Sequence, residues 1–195
     1  GAGSKLTYPQ KFSGSNREVK LSGQAFFNVS PDKSHPFIVK TKKMDVTVMG
    51  TSFEIFSYDN DKEVEAVLLT GKVKVAISDN KKLEGKIYTL APNEKLTYSE
   101  EKGVNLTNID ADAYSGWRKG KRMSFKNETL QMILNRLEKW YGQRIECDPQ
   151  LAEYYRFTFT VHSEPLALIL NYISHSAPLT YKMVGNNHYL IELKH

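Results

Sequence analysis

Two eight-residue segments of one design, LQMILNRL at 130–137 and LALILNYI at 166–173, stand 36 residues apart. In each, leucine or isoleucine fills the first, fourth, fifth and eighth places, the spacing that lays an apolar stripe along one face of an α-helix. Such a stripe has to be covered. Each of its residues contributes about 1.5–3 kcal/mol on full burial, and neither segment is long enough to hold a helix in water by itself. A chain that makes this demand twice must supply a surface for both stripes.

The flanking residues suggest what that surface is. The first helix carries Leu130, Ile133, Leu134 and Leu137, extended by Trp140 and Tyr141, with Asn127 as the expected N-cap and Gly142 as the left-handed stop. The second carries Leu166, Ile169, Leu170 and Ile173, with Ser163 as cap, Pro165 in the first turn and Pro178 barring continuation. RMSF and RIEC flank the first helix. YRFTFTV precedes the second, and TYKMV, a Gly-Asn-Asn turn and HYLIEL follow it. The spacing predicts two βαβ-like repeats laying their helices on one small shared sheet, a compact α+β domain.

The first half has another period. VTVMGTSFEIFSY, EVEAVLLTGKVKVAI and GKIYTLAPNEKLTYS alternate apolar and polar residues and are rich in Val, Ile, Phe, Tyr and Thr. SPDKSHP, YDNDKE, SDNKK and APNE punctuate them as turns. GQAFFNVS (23–30), GTSFEIFS (50–57) and GKVKVAIS (71–78) each run from Gly to Ser. Such an echo fits strands stacked in a roll or a short solenoid, each Gly permitting a tight entry; it fits equally an ordinary series of strands that begin after Gly. The expected organisation is multi-domain: an all-β domain over residues 1–110, then the βαβ-repeat domain over 111–195.

Catalytic signals are sparse. His35, His162, His175, His188 and His195 show no metal-ligand spacing. DNDKE at 59–63 opens like a calcium loop but has Val64 and Thr70 where that loop needs Gly and Glu, so it reads as a solvated hairpin turn. Glu63 and Glu65 share a strand face, read here as exposed. GxSxG, P-loop and GxGxxG motifs are absent from the sequence, and sequons at Asn28, Asn105 and Asn127 read as chance matches. No enzyme, catalytic residue, metal or cofactor is expected. The single cysteine, Cys147, excludes an internal disulfide.

A content of 40% hydrophobic and 25% charged residues sets the chain among folded globular proteins. No run reaches the roughly 18 apolar residues of a membrane span. The net charge of +5 concentrates attention on WRKGKRMSFK, where Arg118, Lys119, Lys121, Arg122 and Lys126 surround Trp117. These could grip phosphates and stack a base. The competing reading, a solvated connector with Trp117 tucked between the domains, is preferred, because no second basic aromatic stripe accompanies it. No nucleic-acid partner is expected.

At this point the segments resemble a family. VKLSGQAFFNVSPDKSHPFIVKT, VTVMGTSFEIFSY, LTGKVKV, LAPNEKLTY and WRKGKRMSFKNETLQMILNRLEKWYG, in this order and spacing, resemble the FecR-type anti-sigma regulators of Gram-negative bacteria, in the form common among Bacteroidetes-like sequences. Asn93 stands where that family usually has Gly, an exchange a left-handed turn tolerates. The C-terminal repeat is similar to the secretin and TonB short N-terminal domain.

The resemblance implies a periplasmic sensor portion. Its partner would be the periplasmic signalling domain of an outer-membrane TonB-dependent transporter. It would reach the sigma factor only through a cytoplasmic region, and the membrane only through an upstream helix, neither of which is in this sequence. Opening at Gly1, the chain reads as an expression fragment or processed product. A small open sheet offers edge strands to a partner. The expected edges are Phe157–Val161 and His188–Leu193, with Tyr154 and Tyr155 as aromatic anchors, giving Tyr154, Tyr155, Phe157, Phe159, Val161, His188 and Leu190 as candidate partner-binding residues. The rival reading is a carbohydrate-binding module, which would place a shallow aromatic groove on the β half.

Overall fold

The computed structural model describes residues 1–116 and 122–194, which divide into two compact units, one of Gly3–Ser115 joined by Gly1 and one beginning at Gly116. Of the basic stretch, Trp117, Arg118, Lys119 and Lys121 lie outside the described residues, as does His195, so the tucked Trp117 is not among the features described.

In the first unit the strands are β1 (Lys5–Thr7), β2 (Arg17–Asn28), β3 (Phe37–Lys40), β4 (Met44–Val48), β5 (Ser52–Ser57), β6 (Glu63–Thr70), β7 (Val73–Ile77), β8 (Ile87–Leu90), β9 (Glu94–Ser99) and β10 (Gly103–Asn108). They form one curled sheet in the order β10-β9-β6-β5-β2-β3-β4-β7-β8, with β1 beside β2. The 12-residue β2 joins its halves, lying parallel to β3 through Arg17–Lys20 and antiparallel to β5 through Gly23–Asn28. Alternation does the rest: Val73, Val75 and Ile77 turn inward while Lys74 turns out. Val19, Val46 and Val75 from one half meet Ile55, Leu68 and Tyr98 from the other in a single core.

The Gly-to-Ser echo does not make stacked solenoid units. Gly23 stands opposite Ser57 in an antiparallel register, and β7 pairs with β4 in the other half. Its glycines, however, all need a left-handed backbone: Gly23, Gly50 and Gly71 have φ of 126°, 139° and 91°. A Cβ on Gly50 would also lie 2.7 Å from the Cα of Pro31, a backbone atom with no room to retreat. Gly50→Ala is therefore expected to cost about 1–3 kcal/mol, read as a lower denaturant midpoint at unchanged slope.

The DNDKE stretch joins β5 to β6 as a hairpin, with the Asp61 amide donating to the Tyr58 carbonyl. Of the pair expected on an exposed face, Glu63 is half-buried and Glu65 is buried. Beyond β10 the chain recrosses the sheet through a single helical turn, α1 (Ala111–Tyr114), capped by Asp110, whose carboxylate accepts the Ala113 amide. Tyr114 donates its hydroxyl to Glu65, and Ser115 donates to Glu54 at 2.6 Å. Gln24 donates to the other oxygen of Glu54 at 2.6 Å, and the Lys95 ammonium lies 3.3 Å from Glu65. Both carboxylates are at most 2% exposed. Sequence spacing gave no hint of this cover, because it arrives 49 residues after Glu65.

The second unit runs β11 (Met123–Thr129), α2 (Leu130–Tyr141), β12 (Arg144–Cys147), α3 (Pro149–Tyr154), β13 (Arg156–Val161), α4 (Leu166–Ser176), β14 (Leu179–Gly185) and β15 (His188–Leu193). Both stripes are buried, every one of their eight residues being at most 4% exposed. The expected shared sheet is instead two sheets: β11 pairs with β13, and β15 lies between β12 and β14. Each strand–helix–strand repeat thus sends its two strands to different sheets, and both helices share one core with them.

The helix starts differ from the local signals. Thr129 caps α2, its hydroxyl accepting the Met132 amide, while Asn127 has φ of 52° within the irregular part of β11. Ser163 does not cap α4; Pro165 occupies that place with no side-chain cap. The stops hold, Gly142 being left-handed at φ of 64°. Thr129→Ala is expected to cost about 1 kcal/mol, measurable as a shift in thermal unfolding.

Candidate partner-docking surface

The residues of β13 alternate. Arg156, Thr158 and Thr160 are exposed, whereas Phe157 and Phe159 are half-buried and Val161 is buried. β13 pairs with β11 alone, so among the described residues its other edge carries no strand. Beside the strand lies α4, and between them opens an apolar groove of about 260 Å³ lined by Phe157, Phe159, Ile169, Tyr172 and Ile173. Tyr172 is 57% exposed although it belongs to a helix whose neighbours Ile169 and Ile173 are buried.

The ends of the groove are held by local bonds. Arg156 donates to the Asn127 carbonyl at 2.8 Å. At the other end Glu164 accepts the His162 amide at 2.6 Å, which holds its carboxyl below the usual range. Tyr141 of α2 donates to the Glu164 carbonyl at 2.6 Å and fixes the loop to the core; burial pushes its phenol up. Tyr154 and Tyr155 continue the aromatic run, edge to face at 5.1 Å, and Tyr155 in turn stacks on Phe157 at 6.5 Å. Tyr154 is 79% exposed, while Tyr155 packs on the core. The structure therefore brings Tyr154, Tyr155, Phe157, Phe159 and Val161 to one side of the unit.

His188 and Leu190 are placed differently. β15 is no edge: β12 flanks it in parallel and β14 antiparallel. Its partners come from residues 144–147 and 179–185, and the parallel one, β12, lies before α4 in sequence and has no hairpin to announce it. The outer face of this sheet carries ion pairs, Arg144 on Glu146 and Lys182 on Glu192 at 2.7 Å, with the His188 ring 3.3 Å from Glu146. The groove residues Ile169, Tyr172 and Ile173 were not among the expected docking residues. Tyr172, the one aromatic flanking the second apolar stripe, was the available signal.

The ends of β12 and β15 adjoin a larger hollow of about 710 Å³ whose lining includes Glu146, Asp148 and Glu192 with Cys147. Burial, with Asp148 adding to it, raises the Cys147 thiol to about 11. Its alkylation at about pH 8 is expected to run roughly a hundredfold slower than that of a free thiol, and to climb steadily as pH approaches 11; a rate-against-pH series checks this.

In the described residues the groups that converge are edge amides, rings and aliphatic side chains. The comparisons place the chain in the class of signalling regulators. A model of the FecR protein family matches residues 1–74 and one of the FecR C-terminal region matches residues 122–191. The chain belongs to the FecR family of anti-sigma factors. Two crystal structures of a protein described as an anti-sigma factor from Parabacteroides distasonis ATCC 8503 superpose with TM-scores of 0.87 and 0.86, at 29% identity, over 98% of this chain and 87% of theirs. Among curated proteins, none matches. The family is regulatory rather than enzymatic and implies interaction with a sigma factor.

Proposed function

We propose that this chain is the periplasmic sensor portion of a transmembrane anti-sigma regulator. It receives a signal by protein contact from the signalling domain of an outer-membrane TonB-dependent transporter and relays it to an extracytoplasmic-function sigma factor. In the full-length protein a single membrane helix and a cytoplasmic region carry the relay. No helix among the described residues is long and apolar enough to cross a membrane, which suits a portion that lies to one side of it.

One observation carries the reading: β13 has an open edge that runs beside an apolar groove. Edge N–H and C=O groups recruit an extended segment, and the groove supplies room for its alternate side chains. The outer edge of β12 is less suited, because Glu138 already accepts its Ile145 amide at 2.6 Å. Tyr154, Tyr155, Phe157, Phe159 and Val161 remain the docking set, with Tyr172 added. His188 and Leu190 lose their rationale because β15 is interior.

The test is calorimetric titration with the transporter's signalling domain. Tyr172→Glu, at an exposed position, should leave the fold intact and weaken binding by about 2 kcal/mol, roughly thirtyfold in Kd. Thr160→Pro, which removes a strand amide and stiffens the edge, should do likewise. Unchanged affinity in both folded variants would remove the proposal's basis.

A further inference from the structure

We infer that the β unit carries a separate binding site for a phosphate-bearing ligand, at the point where β2 passes from one half of the curled sheet to the other. The Arg17 amide donates to the Pro36 carbonyl just before β3, and the Val29 amide to the Thr51 carbonyl just before β5. Arg17 and Val29 are an even number of residues apart, so both amides point to the same flank of β2. On that flank the register stops at Lys20 opposite Lys40 and resumes at Gly23 opposite Ser57. Leu21 and Ser22 have no strand opposite them there; their ladder partners, Leu6 and Lys5, belong to β1.

A hollow of about 570 Å³ opens at this break, within the range of small-molecule sites. Lys5, Lys20, Lys40 and Lys42 line it against one acid, Asp45. Asp45 is engaged by Lys40 at 2.9 Å, and Glu18, further along β2, also acts on Lys40. Among the described residues, Lys42 donates to the Asp59 carbonyl at 3.3 Å. Lys20 stands directly opposite Lys40 in the ladder, and like charges so placed are destabilising. Ser22 and Ser78 add hydroxyls to the lining. Four lysines lining one hollow beside hydroxyls and a broken ladder suit a phosphate, with hydroxyl or amide donors completing its shell. The lining holds no aromatic ring, so this is not the aromatic groove of a sugar-stacking module.

The shared chemistry is a phosphomonoester or pyrophosphate, carried by a soluble sugar phosphate or by a lipid headgroup. The test is NMR titration of the chain with inorganic pyrophosphate and with glucose 6-phosphate, alongside co-sedimentation with vesicles of phosphatidic acid in phosphatidylcholine. Amide shifts centred on Leu21, Ser22 and Thr41, weakened about tenfold by Lys20→Glu, support the site. Binding to the soluble probes marks a free phosphate ligand; binding only to phosphatidic acid vesicles, lost in Lys20→Glu, marks a headgroup. Shifts spread equally over remote lysines such as Lys81, Lys82 and Lys102, no response to any probe at millimolar concentration, or a Lys20→Glu variant that binds as well as the parent would overturn it. Lys20 is exposed, so the variant should fold, and with the repulsion from Lys40 relieved it should unfold no lower than the parent.

Discussion

Lys95→Met is expected to destabilise the β unit by about 3–5 kcal/mol, one of the largest effects available from a single substitution in it. Methionine keeps an unbranched chain of similar bulk and removes only the ammonium. That ammonium lies 3.3 Å from Glu65, with side-chain exposures of 7% and 1%, and 5.0 Å from the centre of the Tyr114 ring. Without it, Glu65 keeps the Tyr114 hydroxyl but loses its buried countercharge. The cost comes from a buried carboxylate losing its cation, more than from the pair's own attraction. The double variant Lys95→Met/Glu65→Gln, whose amide oxygen can still accept the Tyr114 hydroxyl, should therefore regain most of the loss. In a domain of this size, thermal midpoints move by about 4–8 °C per kcal/mol, so both arms can be read from melting curves. A double variant as unstable as the single one would mean that lost packing, not an orphaned charge, is responsible.

The same cluster explains a limit of sequence reading. Glu63 and Glu65 look alike in EVEAV, yet Glu65 is sealed by Tyr114 and Ser115 closes over Glu54. Those contacts span 49 and 61 residues, and no local period encodes them. The strands themselves were legible, since alternation fixes which side chains face inward whatever the partner. Ladder partners were not: GKVKVAIS resembles GTSFEIFS, but β7 and β5 lie in different halves of the sheet.

The docking surface divides in the same way. FTFTV was readable as a strand with an open edge, and its alternate phenylalanines mark its inner face. HYLIEL has as strong a pattern and is interior, because β12, more than 40 residues earlier in sequence, lies parallel to it. The six-residue α3 escaped notice for a different reason. It is too short to show a stripe, and its Asp148-Pro149 start reads as readily as a turn. That helix delivers Tyr154 and Tyr155 to the start of β13, so the anchors were legible as residues while the element placing them was not.

The second large effect separates stripe from composition. Leu134 and Leu170 occupy equivalent places in the twin segments, and both are at most 2% exposed in the one core that also holds Ile145, Val161 and Ile191. Leu134→Ala and Leu170→Ala are each expected to cost about 2–5 kcal/mol, transfer loss plus a cavity that packed strands on either side cannot close. Leu168→Ala removes the same atoms from the same helix as Leu170→Ala, but Leu168 is off the stripe and 37% exposed. Its cost should stay within about 0.5 kcal/mol. Denaturant titration, with amide exchange on α2 and α4 as the local readout, compares all three. If Leu168→Ala proved as damaging as Leu170→Ala, α4 would be covered on its outer side as well. If Leu170→Ala were as mild as Leu168→Ala, the second helix would be a peripheral element, and a groove whose wall it forms could not be rigid enough to position a docked strand.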